Sequence, residues 1–220
     1  MRNRTTKQEN YFKKFFIENS FEEALEALKL INKYHKGVRR DGSEERGHMF
    51  DVLGFTISNF HNRVNNKDLE RLIVAAALHD LVEDYKDEVS FKCLKEKYNI
   101  SLDTVKTIKK VTKWSTFKKI ETHYDHYYKN ILKDKFAIIV KASDRLHNLN
   151  SCTEVFSTKK KKEYINETKK YIIPALKNIR RTDTTLYIPI TGMIYDLKNQ
   201  IKQLEYIIIL EDKISELSKV

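Results

Sequence analysis

Five glycines and two prolines in 220 residues leave this chain few places to turn sharply. A sheet-rich fold needs turn residues about every ten positions, and they are missing here. Leucine, isoleucine, lysine and glutamate are abundant instead, so an all-α fold follows. The length suffices to bury the core of one large domain, or of one domain with an appendage.

Helical periodicity recurs along the chain. In FEEALEALKLINKYH (21–35), Ala24, Leu28 and Ile31 share a stripe with Leu25 beside it. VRRDGSEERG (38–47) is a polar loop with a D-G turn signal. Helix resumes at His48 and runs to about Phe60; after the break VNNKD, one strong helix spans 68–85. SFKCLKEKYN and SLDTVKTIKKVTK each open on a serine suited to an N-cap. ETHYDHYYKNILKD, KFAIIVKASDRLHNLNS and KKKKEYINETKKYIIPALKNI read as further helices. TDTTLYIPITG (182–192) reads as a loop with strand-like character. A last amphipathic helix covers 193–217, with Ile194, Leu197, Ile201, Leu204, Ile208 and Ile207 as its seam. There is no internal repeat and no flexible linker.

Composition excludes several classes. The two cysteines, Cys93 and Cys152, are far apart and belong to no pairing or zinc motif, which suits a reducing cytoplasm. No apolar run approaches the roughly 20 residues of a membrane span. MRNRTTKQENYFKKFF lacks the apolar stretch of a signal peptide, so a cytoplasmic protein is expected. The net charge of +11 fits either an anionic partner or lysine-rich helices facing water. Nothing resembles a nucleic-acid module with aromatics interleaved among the basic residues, so charge by itself decides little and nucleic acid is not the expected partner.

The stretch ALHDLVEDY concentrates the chemistry. His79, Asp80, Glu83 and Asp84 crowd against an apolar helix face. Carboxylates near a helix C-terminus oppose the macrodipole and one another, at about several tenths of a kcal/mol each. At about 3.6 residues per turn, His79 lies one turn before Glu83 and Asp80 one turn before Asp84. A divalent cation would neutralise the carboxylates and accept an imidazole nitrogen. One histidine and one aspartate are too few ligands. His48, after the polar loop, and Asp144, carried inward behind the apolar FAIIV, are candidates to complete the set. His35, His61, His123 and His126 show no such spacing and read as surface or hydrogen-bonded residues.

In order along the chain, HKGVRRDG…GH, ALHDLVED, VTK and VKASDRLHNLNS resemble the motifs of the RelA/SpoT-type HD hydrolases, including the small stand-alone enzymes that degrade the alarmone (p)ppGpp. KKKEYINETKKYIIPAL resembles the helix that closes that domain. The resemblance covers about residues 21–180. It implies an HD-domain helical bundle at 1–180 with a C-terminal helical extension at 181–220.

The resemblance also implies roles. His48, His79, Asp80 and Asp144 match the metal ligands, with Mn²⁺ as the ion. Glu83 and Asp84 match the acidic pair that orients and activates the attacking water. Arg39 and Arg40 match basic residues lining the nucleotide site, and Asn148 and Ser151 match pocket residues just past the last ligand. The implied reaction is hydrolysis of the 3′-pyrophosphate of (p)ppGpp to GDP or GTP plus pyrophosphate. Arginine beside a metal suits a pyrophosphate.

The chain departs from the family in places. ERGHMF stands where PYxxHP is usual, about seven extra residues separate His48 from His79, and VKASDR replaces VKLADR. With about forty residues after Arg181, the synthetase domain of the long members is not expected here. An HD phosphohydrolase acting on ppApp, NADPH or a deoxynucleotide therefore stays open, as do a non-catalytic alarmone-binding module and a nucleic-acid-binding helical protein. The last forty residues either pack on the domain or form the seam of a homodimer, the second being favoured.

Overall fold

The computed structural model describes residues 2–113, 120–152 and 155–217, apart from the side chains of residues 2, 3 and 120–123. Among them there is no strand, only one isolated antiparallel bridge between Val38 and Glu44. No described helix is long and apolar enough to cross a membrane. The chain divides into two compact units, Met1–Ser143 and Asp144–Val220.

The first unit is an assembly of helices whose apolar faces meet. Helix α1 (Arg2–Glu18) buries Phe12, Phe15 and Phe16, and α2 (Glu22–Tyr34) buries Ala24, Ala27, Leu28, Leu30 and Ile31. Glu22 and Glu23 begin α2 and Lys33 ends it, each favourable to the helix dipole. Helix α3 (Glu45–Phe60) packs against α1 and α4 (Asn66–Ala77), and α2 packs against α4 as well. Asn65 caps α4 by accepting the Asp68 N–H at 2.9 Å. Every residue of α4 from Leu72 to Ala77 is buried, so this helix is the centre of the unit.

Helix α4 does not continue to residue 85 as its periodicity suggests. It stops at Ala77; Leu78, His79 and Asp80 form a turn, and a short helix α5 follows at Leu81–Asp84. Beyond it come α6 (Phe91–Glu96), α7 (Leu102–Val111), α8 (Ile120–Ile131) and α9 (Lys135–Ser151). Of the two serines expected to cap, Ser90 accepts the Cys93 N–H at 3.1 Å, whereas Ser101 makes no capping bond. Its hydroxyl pairs with Thr104 Oγ1 at 2.8 Å instead. Arg71 Nη2 donates to Thr107 Oγ1 at 2.7 Å and to Asp134 Oδ2 at 2.8 Å, tying α4 and α7 to the residue that precedes α9.

The second unit begins inside α9 and continues with α10 (Thr158–Glu167), a π-helical turn (Thr168–Ile172) and α11 (Ile173–Thr182). Pro174 explains the π turn: it cannot donate to the preceding turn and its ring crowds that carbonyl, so the wider winding lets the helical path continue. After a 3₁₀ turn at Thr184–Leu186, α12 runs from Tyr187 to Leu217. The expectation of a strand-like loop up to residue 192 is therefore overturned. Pro189 lies in the first helical turn, where its missing N–H has no partner to lose, and Ile190 and Met193 extend the buried seam toward the N-terminus. The seam itself holds Ile194, Leu197, Ile201, Leu204 and Ile208, with Ile207 half-exposed beside it. Two ion pairs brace this unit: Arg145 Nη2 to Glu167 Oε2 at 2.6 Å, buried on both sides, and buried Lys161 to half-exposed Glu211.

Candidate metal centre

The break after α4 builds the site. Leu78 adopts φ −115° and ψ 13°, and the Leu81 N–H closes the turn on the Leu78 carbonyl at 3.2 Å. His79 Nδ1 lies 2.8 Å from the carbonyl of Ala76, a side-chain bond that competes with the helical ladder at this point. One helical turn survives beyond the break, because the Asp84 N–H donates to the Asp80 carbonyl at 2.9 Å. Asp80 and Asp84 thus keep the spacing expected of them, on a short helix separate from α4.

Four side chains converge here. His48 from the start of α3, His79 and Asp80 from the turn, and Asp144 from α9 each offer a ligand atom within 4.8 Å of all the others. The span matches a first-row divalent ion, whose opposite ligands stand about 4–4.5 Å apart when each bond is about 2.0–2.2 Å. Asp80 Oδ2 is 3.1 Å from His79 Nε2 and 4.0 Å from His48 Nε2. The unit boundary falls one residue before Asp144, within the continuous helix α9.

Whether these residues suit an ion can be tested on the His79 ring. A carbonyl oxygen only accepts, so Nδ1 carries the proton and a neutral ring has its lone pair at Nε2. That lone pair faces a carboxylate oxygen at 3.1 Å, a repulsive pairing unless a positive charge sits between them. A backbone carbonyl on the far nitrogen is also how metal-bound histidines are commonly oriented. His79 is fully buried, Asp144 is 3% exposed and Asp80 keeps the most solvent access. A bare carboxylate as deeply placed as Asp144 would cost several kcal/mol, roughly. The donor set therefore fits a divalent cation.

The acidic pair stands alongside. Glu83 Oε2 accepts the backbone N–H of Lys113, the last residue of VTK, at 3.0 Å, so the main chain there holds the carboxylate. Burial raises the Glu83 carboxyl above its usual range, with the Lys113 amide opposing; Asp80 adds to the rise and Lys141 works against it. The Asp84 carboxyl is pushed up to about 6, first by burial and then by the charges of Asp80 and Glu83.

The remaining predicted residues lie outside the close group. Asn148 donates to Asp144 Oδ1 at 2.6 Å from one turn further along α9, so it orients that carboxylate. Arg39 is half-buried in the 36–44 loop, where its N–H donates to the Ser43 carbonyl at 2.8 Å; Arg40 is exposed and Ser151 half-buried at the end of α9.

Three surrounding residues escaped sequence reasoning. Lys141 is buried three positions before Asp144, and the signal was present: a lysine directly behind FAIIV on the same helix. Glu45, one turn before His48, accepts from the Gly37 N–H at 3.2 Å and the Tyr85 hydroxyl at 3.3 Å. A Cβ on Gly37 would stand 2.8 Å from the Glu45 carboxyl, so this approach requires glycine or a displaced glutamate. Burial and then Glu45 push the Tyr85 phenol up to about 12.

His35 corrects an expectation. Its spacing suggests an exposed or hydrogen-bonded residue, yet it is 1% exposed and its Nε2 has no hydrogen-bond partner among the described residues. Burial, reinforced by His79, holds its pKa down to about 4. A polar atom left unmet in this way costs about 1–3 kcal/mol. His61 and His126 are exposed as expected, and the His123 side chain lies outside the described residues.

The family model of the HD domain matches residues 46–149, from the first turn of α3 almost to the end of α9. All four residues of the close group, and the Glu83–Asp84 pair, fall within that match. A comparison with curated proteins finds no match to the chain.

Proposed function

We propose that this HD-domain chain is a Mn²⁺-dependent hydrolase that removes the 3′-pyrophosphate of (p)ppGpp. The HD domain supports the coarser reading, a metal-dependent phosphohydrolase. The observation that carries the reading is the group His48, His79, Asp80 and Asp144 with two raised carboxyls, Glu83 and Asp84, standing next to it. Guanosine and the 3′ position rest on the order of the four motifs along the chain.

Those four residues would hold the ion, which when bound supplies Lewis-acid polarisation of the phosphoryl group. Water attacks phosphorus, the bond from phosphorus to the ribose 3′ oxygen breaks, and that oxygen leaves with a proton. Glu83 and Asp84 orient the water and take up its proton. A carboxyl raised toward neutrality suits that task better than one of ordinary acidity. Lys113 keeps Glu83 in place through its amide, and Asn148 does the same for Asp144. Arg39 and Arg40 bind the phosphates, and Ser151 contributes to the nucleotide pocket. In this reading residues 1–180 form the hydrolase domain, and 181–220 an extension through which two copies pair.

The test is to incubate the pure protein with Mn²⁺ and, separately, ppGpp, ppApp, NADPH and GTP, with EDTA controls. Release of GDP and pyrophosphate from ppGpp, abolished by EDTA, is the expected result. Turnover of another nucleotide alone would overturn the substrate; metal binding without any turnover would make the domain a binding module.

A further inference from the structure

His35 closes helix α2, its backbone N–H donating to the Ile31 carbonyl at 3.0 Å. Its ring meets Tyr85 edge-on, with centroids 5.3 Å apart and planes at 84°. The Tyr85 hydroxyl is already committed, to the Tyr34 carbonyl at 2.8 Å and to Glu45 at 3.3 Å. Glu45 and Asp80 are the carboxylates whose charge reaches the His35 ring, and Asp80 belongs to the close group. Through Tyr85, which follows Asp84 in sequence and donates to Glu45, the imidazole packs beside the acidic residues of the site, with Nε2 sealed from solvent and without a hydrogen-bond partner among the described residues.

An apolar side chain of similar volume would fill this place without leaving a polar atom unmet. No group among the described residues satisfies Nε2, which leaves that place to solvent. A neutral imidazole can donate there, and carboxylates only accept. A water oxygen answers both needs, since it accepts from Nε2–H while its hydrogens turn to the acidic side chains. Buried waters characteristically bridge two to four otherwise unsatisfied polar groups in this way.

We propose that His35 is a positioning residue of this site, whose Nε2 fixes an ordered water against the acidic wall of Asp80 and Glu45. The water carries the hydrogen-bonding influence of His35 to the place where the phosphate group reacts, and the histidine itself touches neither ion nor substrate. The catalytic consequence rests on the hydrolase reading above; the water does not.

Two measurements decide it. A crystal structure of the metal-free protein, and one soaked with Mn²⁺, should show an ordered oxygen within about 3.2 Å of His35 Nε2. A dry contact there in both overturns the proposal. In kinetics with Mn²⁺ and ppGpp, His35→Leu should lower kcat at least about tenfold while KM and bound Mn²⁺ stay at wild-type values. His35→Gln, which returns a donor near the same place, should recover most of kcat. Wild-type turnover by His35→Leu overturns the proposal, and so does loss of Mn²⁺ from that variant, which would make the histidine a structural support for the ligands. Should the leucine variant fail to fold, the glutamine variant and the two crystal structures still decide. If the wild-type protein hydrolyses none of the nucleotides, the hydrolase reading fails while the crystallographic result stands on its own.

Discussion

The main-chain N–H of Lys113 donates to the side chain of Glu83 at 3.0 Å, across thirty residues of sequence. A carboxylate held by an amide cannot be freed by trimming the lysine side chain. Lys113→Ala should therefore keep kcat within about threefold, since it loses ring contacts and a partly solvated charge but keeps the amide. Lys113→Pro removes the donor, and Thr112 already has the extended backbone that precedes a proline comfortably (φ −62°, ψ 127°). A hydrogen bond to a charged group is worth about 1.5–3 kcal/mol, so the proline variant should lose about tenfold or more in kcat. Steady-state kinetics of the two variants side by side would check this.

Glu83→Gln should keep the metal and lose turnover by about a hundredfold or more, the range of a positioned acid–base group. Glutamine preserves the acceptor for the Lys113 amide and removes only the capacity to take a proton. Metal content and single-turnover rates, measured on the same preparation, separate the two effects.

Asp144 and Asn148 differ in kind. Asp144→Ala should abolish Mn²⁺ binding and activity together. Asn148→Ala leaves every ligand present but frees the Asp144 carboxylate, which is held at 2.6 Å, so affinity should fall about 10–100-fold. Thermal unfolding would report both: Mn²⁺ at about a hundred times its Kd should stabilise the wild type by about 2.7 kcal/mol. That increment should vanish with Asp144→Ala and be recovered at higher Mn²⁺ with Asn148→Ala.

His35 predicts a pH dependence of stability. Its folded pKa, about 4, lies below the ordinary histidine value of 6.5, so the unfolded chain binds the extra proton first. The contribution of the neutral ring is complete above pH 6.5 and is lost as the pH falls toward 4. It amounts to about 2 kcal/mol by pH 5 and about 3 kcal/mol in full. Urea unfolding in EDTA at pH 7 and pH 5 should show this loss in the wild type, and His35→Leu should lack that part of it.

Arg145 donates to Glu167 at 2.6 Å with both side chains buried, and its guanidinium stacks over the Tyr164 ring at 4.1 Å. Glu167→Ala leaves that cation buried without its carboxylate, which should cost about 3–5 kcal/mol. Glu167→Gln keeps an acceptor and should cost less. Calorimetric melting of both variants gives the comparison.

The helices and the residues that carry chemistry could be read from the linear order because both leave local signatures. Apolar residues at helical spacing, with almost no glycine or proline between them, define α2 to α4 and most of the seam of α12 within ten or so neighbours. The crowding of His79, Asp80, Glu83 and Asp84 is equally local. What depends on distant partners was not legible. The break after Ala77 spends a helical turn to aim His79 and Asp80 at His48 and Asp144, and periodicity registers burial without registering such a sacrifice. The amide under Glu83, the carbonyl behind His79 and the sealed nitrogen of His35 are main-chain or burial relationships, which no side-chain pattern encodes. Sequence by itself determined which groups the site could use; folding decided which of their atoms face one another, because only packing sets the distances on which electrostatics and coordination depend.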